Sequence, residues 1–472
     1  MQVQPIWGPR SNLLANLGAV VVVVIGSQWV SRPLWAAGAE YPDNGTLSIG
    51  RGGAWAANPA DGLALTYNPA GLAQQHGLKL TLDARLSQQN VKFTSTSIKG
   101  DPVENSAPLF LGPTVALSYG VGALGPLSEA TIAAGVNGPS AIGIVKYPNK
   151  GVQRYSLNST DYFIGFFSLA AAAGYADWLR FGITGQLAHG QATFDQAVYS
   201  SATSSGSDPN DDTIATFSGK NGAQPNAIIG VTVFPSPQIA IGLSWRPSLK
   251  FAADGTLKTV APKWAQDSSK QVGDQAQLQL TFADVVRLGL QYKPNTNWDV
   301  EFDAVYERWS VLKEVRVHII NMTVVAAHDP DKPIKVPDIV FPHDYVDTIS
   351  LRMGGDYTLI PERLTVRGGY LYESSAAPTK YVSLDFPNWQ RDVVSVGASI
   401  KLYGAWLDLA YAHHFVQTQV VTDSAVVQQQ TPAVLPLPQP KPIVIGNGTY
   451  EASMNIGSVA LRVPFGSLSS VF

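Results

Sequence analysis

The feature that most constrains this chain is strict two-residue alternation. From Leu78 to Ser87, the residues Leu78, Leu80, Leu82, Ala84 and Leu86 alternate with Lys79, Thr81, Asp83, Arg85 and Ser87. An extended strand sends successive side chains to opposite faces, so one face of this segment is apolar and the other is polar or charged. Segments of similar character recur near 112–121, 128–137, 160–174, 178–192, 222–234, 238–252, 276–292, 296–312, 344–358, 362–374, 390–402, 404–418 and 449–465. Together with the first they make fourteen. The 160–174 segment is ambiguous: Phe163-Ile164-Gly165-Phe166-Phe167 followed by Ala170 to Ala173 also suits a helix. Beyond residue 40 no run of 18 apolar residues occurs, so no spanning helix is expected. Two architectures accommodate the pattern. In a soluble sandwich, the leucine face meets a second sheet. In a membrane barrel it meets lipid, and the charged face lines the lumen.

The connections favour the barrel. Ala176-Asp177, Pro235-Ser236-Pro237, Pro294-Asn295-Thr296-Asn297 and Ile360-Pro361-Glu362 form tight turns. In contrast, 88–111, 138–159, 193–221, 253–275, 314–343, 375–389 and 419–448 are long and polar. Short turns at one end and long loops at the other characterise outer-membrane barrels. The prolines of 432–442 mark a stiff extended loop. Trp178, Trp245, Tyr292, Trp298, Tyr306, Trp309, Tyr370, Tyr372 and Tyr411 cluster near strand ends, where interfacial girdles place amphipathic rings. Val459, Leu461, Val463 and Phe465 share one face of the last strand, and either Phe465 or Phe472 supplies a terminal aromatic.

Residues 1–39 read as a secretory signal. Arg10 precedes an apolar core, Leu13 to Ile25, and Ala37-Gly38-Ala39 fits a cleavage site. A retained anchor helix is the alternative, and the short stretch broken by Gly18 and Gly26 weighs against it. Residues 40–76 do not alternate. Small residues and the Asn58-Pro59 and Asn68-Pro69 turns give short helical pieces, too few to fold alone, so they must pack against something large. The expected division is signal 1–39, hatch 40–76, barrel 77–465 and tail 466–472.

Composition narrows the function. Only 14% of residues are charged, and 32 basic against 35 acidic residues leave a formal charge of −3, which gives no footprint for nucleic acid. The absence of cysteine excludes disulfides, thiolate metal sites and a cysteine nucleophile. Gly120-Val121-Gly122-Ala123-Leu124-Gly125 matches a dinucleotide-loop string but lies between two strands, without the helix such a site requires. His413 and His414 point to opposite strand faces and suit no single metal. His328-Asp329 and His343-Asp344 lie in or near a long outer loop; an outer-membrane protease or lipase can use such pairs, but isolated His-Asp pairs are usually plain loop residues. The expectation is no catalytic site, no metal and no cofactor.

Gly50-Arg51-Gly52-Gly53-Ala54, followed by Asn68-Pro69-Ala70-Gly71-Leu72-Ala73 just ahead of the first strand, resembles the FadL/TodX family of outer-membrane transporters of long-chain fatty acids and aromatic hydrocarbons. Tyr147-Pro148, Arg154-Tyr155, Ser244-Trp245-Arg246-Pro247, Arg308-Trp309-Ser310, Gly368-Gly369-Tyr370 and Val396-Gly397 extend the likeness over about 40–465. The resemblance implies a fourteen-stranded antiparallel transmembrane barrel, all-β apart from an N-terminal hatch. It also implies passive uptake of apolar solutes past that hatch through a lateral opening in the wall. Asn68, Pro69 and Ala70 match the hatch motif.

Alternation points Asp83, Arg85, Arg246, Arg287, Glu301, Asp303, Glu307, Arg352, Arg367 and Asp408 into the lumen. They serve either as a carboxylate-binding cluster for a fatty-acid head group or as salt bridges tying hatch to wall. The expected partners are a hydrophobic small molecule and outer-membrane lipid, with no nucleic acid, and the expected state is a monomer. A general or structural porin is the competing reading, and an outer-membrane enzyme or adhesin acting through its loops is a third.

Overall fold

The structure is a computed structural model that describes residues 44–106, 109–137, 144–200, 208–387, 389–431 and 442–466. The expected signal segment, most of the proline-rich 432–442 stretch and Phe472 lie outside the described residues.

Among the described residues, fourteen strands form a closed antiparallel ring. They are β1 (Gly77–Ser95), β2 (Phe110–Gly120), β3 (Glu129–Asn137), β4 (Ser159–Tyr175), β5 (Leu179–Tyr199), β6 (Gln224–Ser236) and β7 (Ile239–Arg246). They continue as β8 (Val285–Tyr292), β9 (Trp298–Glu307), β10 (Thr348–Ile360), β11 (Leu364–Glu373), β12 (Arg391–Leu402), β13 (Ala405–Val416) and β14 (Gly448–Gly466). Each pairs with its neighbours in order. β14 returns to β1 over a ladder from Leu78↔Gly466 to Ser95↔Gly448, which removes every sheet edge from the wall. No described helix is long and apolar enough to cross a membrane.

Burial is inverted relative to a soluble sandwich. On β1, Thr81, Asp83 and Arg85 are buried while Leu82 and Leu86 are exposed. On β8, Arg287 is buried while Leu288 and Leu290, on the other face, are exposed. The apolar face therefore looks outward and the charged face inward, as a lipid-embedded barrel requires. β4 is a strand despite its helix-like sequence. Phe163, Phe167 and Leu169 face out, while the inward positions Ala170 and Ala172 are small because Leu63, Leu65 and Leu72 of the hatch pack there.

Two expected strands are each broken in two. The 238–252 segment ends as β7 at Arg246, and a separate strand, Leu249–Val260, begins after Pro247-Ser248. Proline lacks the N–H that the ladder needs. The 276–292 segment divides into Gln275–Phe282 and β8 at Ala283-Asp284. The outer pieces belong to a sheet that grows from the end of β5: Asp212–Lys220, Leu249–Val260, Gln275–Phe282, Glu314–Ile319 and Ile339–Pro342 pair in that order. The connections 193–221, 253–275 and 314–343, read from sequence as plain loops, therefore carry much of their length as strands. Trp309 also departs from expectation. It lies in the core of the outer connections at 1% exposure, with its indole N–H donated to Glu307. Trp178, Trp245, Tyr292, Trp298, Tyr306, Tyr370 and Tyr411 are exposed on the wall.

Candidate functional site

The hatch, from Asn44 to His76, contains two short helices, α1 (Thr46–Gly50) and α2 (Ala64–Tyr67), and a 3-10 turn, Pro69–Gln74. Helices this short are not stable alone. The wall holds them from several sides. Asp83 on β1 accepts from the backbone N–H and hydroxyl of Thr46 at 2.7 and 2.8 Å, and the Thr46 hydroxyl also meets Ser458 of β14 at 2.7 Å. On the opposite side, Glu301 and Asp303 of β9 accept from the backbone N–H groups of Trp55, Ala56 and Ala57 at 2.8–3.0 Å. On β6 and β7, Asn68 donates to Thr232 and to the Val231 carbonyl, while Ser244 donates to the Tyr67 carbonyl.

The electrostatic centre of the hatch is Arg51. Its guanidinium, 1% exposed, reaches Asp299 at 2.7 Å, Glu301 at 3.2 Å and Asp356 at 2.9 Å, and donates to the Ala54 carbonyl. A planar fork can engage several carboxylates at fixed angles, which a lysine ammonium cannot. Sequence reading placed Arg51 in a motif but did not assign it this task. Asp299 and Asp356 were also missed, although each shares the inward parity of a named charge, Glu301 and Arg352 respectively.

Three pairs of wall glycines, facing each other across adjacent strands, receive the hatch backbone: Gly182 with Gly230, Gly242 with Gly289, and Gly354 with Gly369. A Cβ at any of these six positions would come within 2.0–2.5 Å of a hatch atom, respectively at Asn68-Pro69, Ala56-Ala57 and Arg51. Glycine inside a strand weakens it and commonly marks close backbone approach, a signal present in the sequence but not used.

The structure distributes the predicted lumen charges as follows. All ten are buried. Asp83, Glu301, Asp303 and Arg352 touch the hatch, the last through the Gly53 carbonyl at 3.2 Å. Arg287 lies over the Tyr67 ring, 5.5 Å from its centroid. Arg246 lies near Arg287. Arg367 bonds Asp356 and Ser399, and Asp408 pairs with Arg462 at 2.6 Å. Glu307 faces Trp309. Of the motif residues, Asn68 caps the turn by accepting from the Ala70 N–H at 3.1 Å, Pro69 occupies its first position, and Ala70 is fully buried.

A cavity of about 20 Å³ lies between α1 and the wall. It is lined by Ile49, Gly52, Gly53, Leu371, Val393, Ala412 and Ile456, with Arg85, Arg391 and His414 at its polar side. His414 points inward as alternation requires, and its Nδ1 has no hydrogen-bond partner. His413 points the other way, to Asn455 at 2.8 Å. Arg391 bonds Glu373 at 2.8 Å. About 10–15 Å³ holds one water, so the resting cavity is far smaller than an alkyl chain. Elsewhere, the Gly120–Gly125 string forms a turn followed by strand β3, without a phosphate-binding helix. No cluster of potential metal ligands occurs among the described residues.

This architecture has relatives. A family model described as outer membrane protein transport protein (OMPP1/FadL/TodX) matches residues 27–442. No curated protein matches the sequence. Among solved structures, a Pseudomonas aeruginosa FadL homologue aligns at TM-score 0.72 and 15% identity over 91% of this chain and 100% of its own. The Pseudomonas putida toluene transporter TodX aligns at 0.64 and 15% over 90% and 100%. The Ralstonia pickettii toluene transporter TbuX aligns at 0.61 and 14% over 90% and 99%. At such identities the structural likeness establishes the fold, and the family match extends over most of the sequence. The chain therefore belongs to the OMPP1/FadL/TodX family of outer membrane transport proteins.

Proposed function

We propose that this chain carries hydrophobic solutes passively across the outer membrane by displacement of its hatch. The observation that supports this reading best is the filled lumen: the hatch is bonded to β1, β6, β7, β9, β10 and β14 and packs on the alanines of β2, β3 and β4. A general porin needs an open aqueous path, and a water-filled path gives an apolar solute nothing to bind. Apolar pockets do, at roughly 25 cal/mol per Å² of buried apolar area. On this reading the signal segment 1–39 is removed, 40–76 is the movable hatch, 77–465 is the wall in contact with lipid, and the barrel works as a monomer.

The solute class that best suits the cavity is an amphiphile with an acidic head. The apolar lining of Ile49, Leu371, Val393 and Ile456 suits an alkyl chain, while Arg85, Arg391 and, in the tautomer that carries its proton on Nδ1, His414 suit a carboxylate. Hatch displacement enlarges the site, because Ile49, Gly52 and Gly53 form one of its walls. The test is uptake of labelled palmitate and of labelled toluene by cells with and without this protein. The reading expects protein-dependent uptake, greater for palmitate. Equal uptake with and without the protein refutes transport. A preference for toluene refutes the acidic-head assignment alone.

A further inference from the structure

The outer end of the molecule holds a buried titratable pair that the hatch does not use. His343 precedes β10, and Asp385 lies in the connection between β11 and β12. His343 is 2% exposed. Its Nε2 is 2.9 Å from Asp385 Oδ2, and its Nδ1 is 2.9 Å from the Phe341 carbonyl oxygen. Both partners are acceptors with no proton to give. A neutral imidazole carries one N–H, so satisfying both contacts requires the imidazolium. The ring packs against Tyr345 and Phe386, with centroids at 5.1 and 5.4 Å. These rings belong to the large apolar cluster that also holds Trp309, Val382, Leu384 and Trp389 from the outer connections. Besides this ion pair, the Val346 N–H to Ala376 carbonyl bond at 3.0 Å ties the two connections together.

We propose that His343 and Asp385 form a pH-responsive latch, in which the imidazolium joins two outer connections into a closed lid and loss of its proton loosens that lid.

The surroundings leave one charge to respond to. Asp385 faces the ring from the β11–β12 connection, together with Ser383, which bonds the same carboxylate. From the ring's own segment come the Tyr345 phenol and Asp344. The latter turns away to an exposed pair with Lys313, so Asp344, the sequence neighbour, is not the partner. Phe386 leads to Tyr162 of β4, and Trp389 leads to Tyr450 of β14; both are phenols, neutral near pH 7. Burial disfavours the charged imidazole. The charge and hydrogen bond of Asp385 outweigh this and hold His343 above the usual histidine value. Burial alone would raise Asp385, but the imidazolium and its hydrogen bonds hold it below the usual carboxylate range. The sign follows. A histidine held above its unfolded value of about 6.5 stabilises the joined state fully below that pH, and the contribution fades as pH rises through the folded value. The Asp385 contribution is lost only in strong acid. The latch is therefore closed in mild acid and loosens on the alkaline side.

The test is hydrogen–deuterium exchange of the full chain in detergent micelles between pH 5.5 and 9, corrected for the intrinsic exchange rate, comparing the parent with His343→Gln and Asp385→Asn. The parent should show exchange in 374–387 that rises at least tenfold across this range, and both variants should be fast and level. A level parent, or the same rise in His343→Gln, overturns the latch. If the variants do not fold, the imidazole of the parent is titrated directly by NMR, and a value at or below that of a free histidine overturns it. None of these readouts depends on the solute, so they stand apart from the transport reading, on which only the consequence for uptake rests. Palmitate uptake should rise with the loosening, and uptake that stays level while the lid loosens refutes gating.

Discussion

Replacing Arg51 with methionine tests how the hatch is held. The substitution keeps much of the side-chain stem and removes the guanidinium, leaving Asp299, Glu301 and Asp356 around an uncharged group. Glu301 is fully buried, and it also accepts from the Ala57 N–H. Removing one partner of a buried ion pair typically costs about 3–5 kcal/mol, because the other charge stays desolvated. At 1.4 kcal/mol per factor of ten, hatch docking should weaken by roughly two to three and a half powers of ten. The wall should survive, since its ladders do not pass through Arg51. Arg51→Lys should fall between, with the charge kept and the fork lost. The chain contains no cysteine, so a single Ala56→Cys reports hatch position without background. The expectation is that this buried thiol becomes reactive in Arg51→Met, that ion conductance in planar bilayers rises, and that the heat-modifiable gel mobility of a folded barrel persists. A protected thiol with parental conductance would refute the assignment of Arg51 as the anchor.

Two further outcomes follow from the geometry. Gly369→Val should expel the hatch locally, because a Cβ there would lie 2.0 Å from the Arg51 backbone, whereas Gly368→Val, facing outward with its nearest contact at 3.7 Å, should be tolerated; the Ala56→Cys probe separates the two. Leu82→Arg should destabilise the barrel by about 2–4 kcal/mol if Leu82 meets mid-membrane lipid, measured by denaturant unfolding in vesicles. Asp83→Asn should leave the barrel intact and free the Thr46 end of the hatch, and equal unfolding costs at the two sites would contradict the facing.

The wall was legible because its physics is local. Alternation at Leu78–Ser87 states which face is wet, and the closed structure places Asp83, Arg85 and the other predicted lumen charges on that face. The number of wall strands was legible too, since each of the fourteen segments holds one of them, but 238–252 and 276–292 were each read as one strand and are each two. Their outer halves form a sheet beyond the wall, and alternation carries no mark of where lipid ends. Trp309 shows the same limit, since an aromatic near a strand end belongs to a girdle or to a loop core according to contacts distant in sequence. His343 was paired with its neighbour Asp344, while its actual partner, Asp385, is 42 residues away. The hatch sockets could have been read. Gly182, Gly230, Gly242, Gly289, Gly354 and Gly369 interrupt strands at inward positions, and their pairing became evident only once the register was fixed.

Transport of the proposed kind requires the hatch to move, and a reversible tether tests that most directly. The Thr46 and Ser458 hydroxyl oxygens are 2.7 Å apart, one on α1 and the other on β14. A Thr46→Cys/Ser458→Cys variant should therefore form a disulfide in an otherwise cysteine-free chain. Uptake of labelled palmitate by cells carrying it should drop under oxidation and return on reduction, with either single variant unaffected. Uptake at the parental rate with the disulfide formed would contradict a moving hatch.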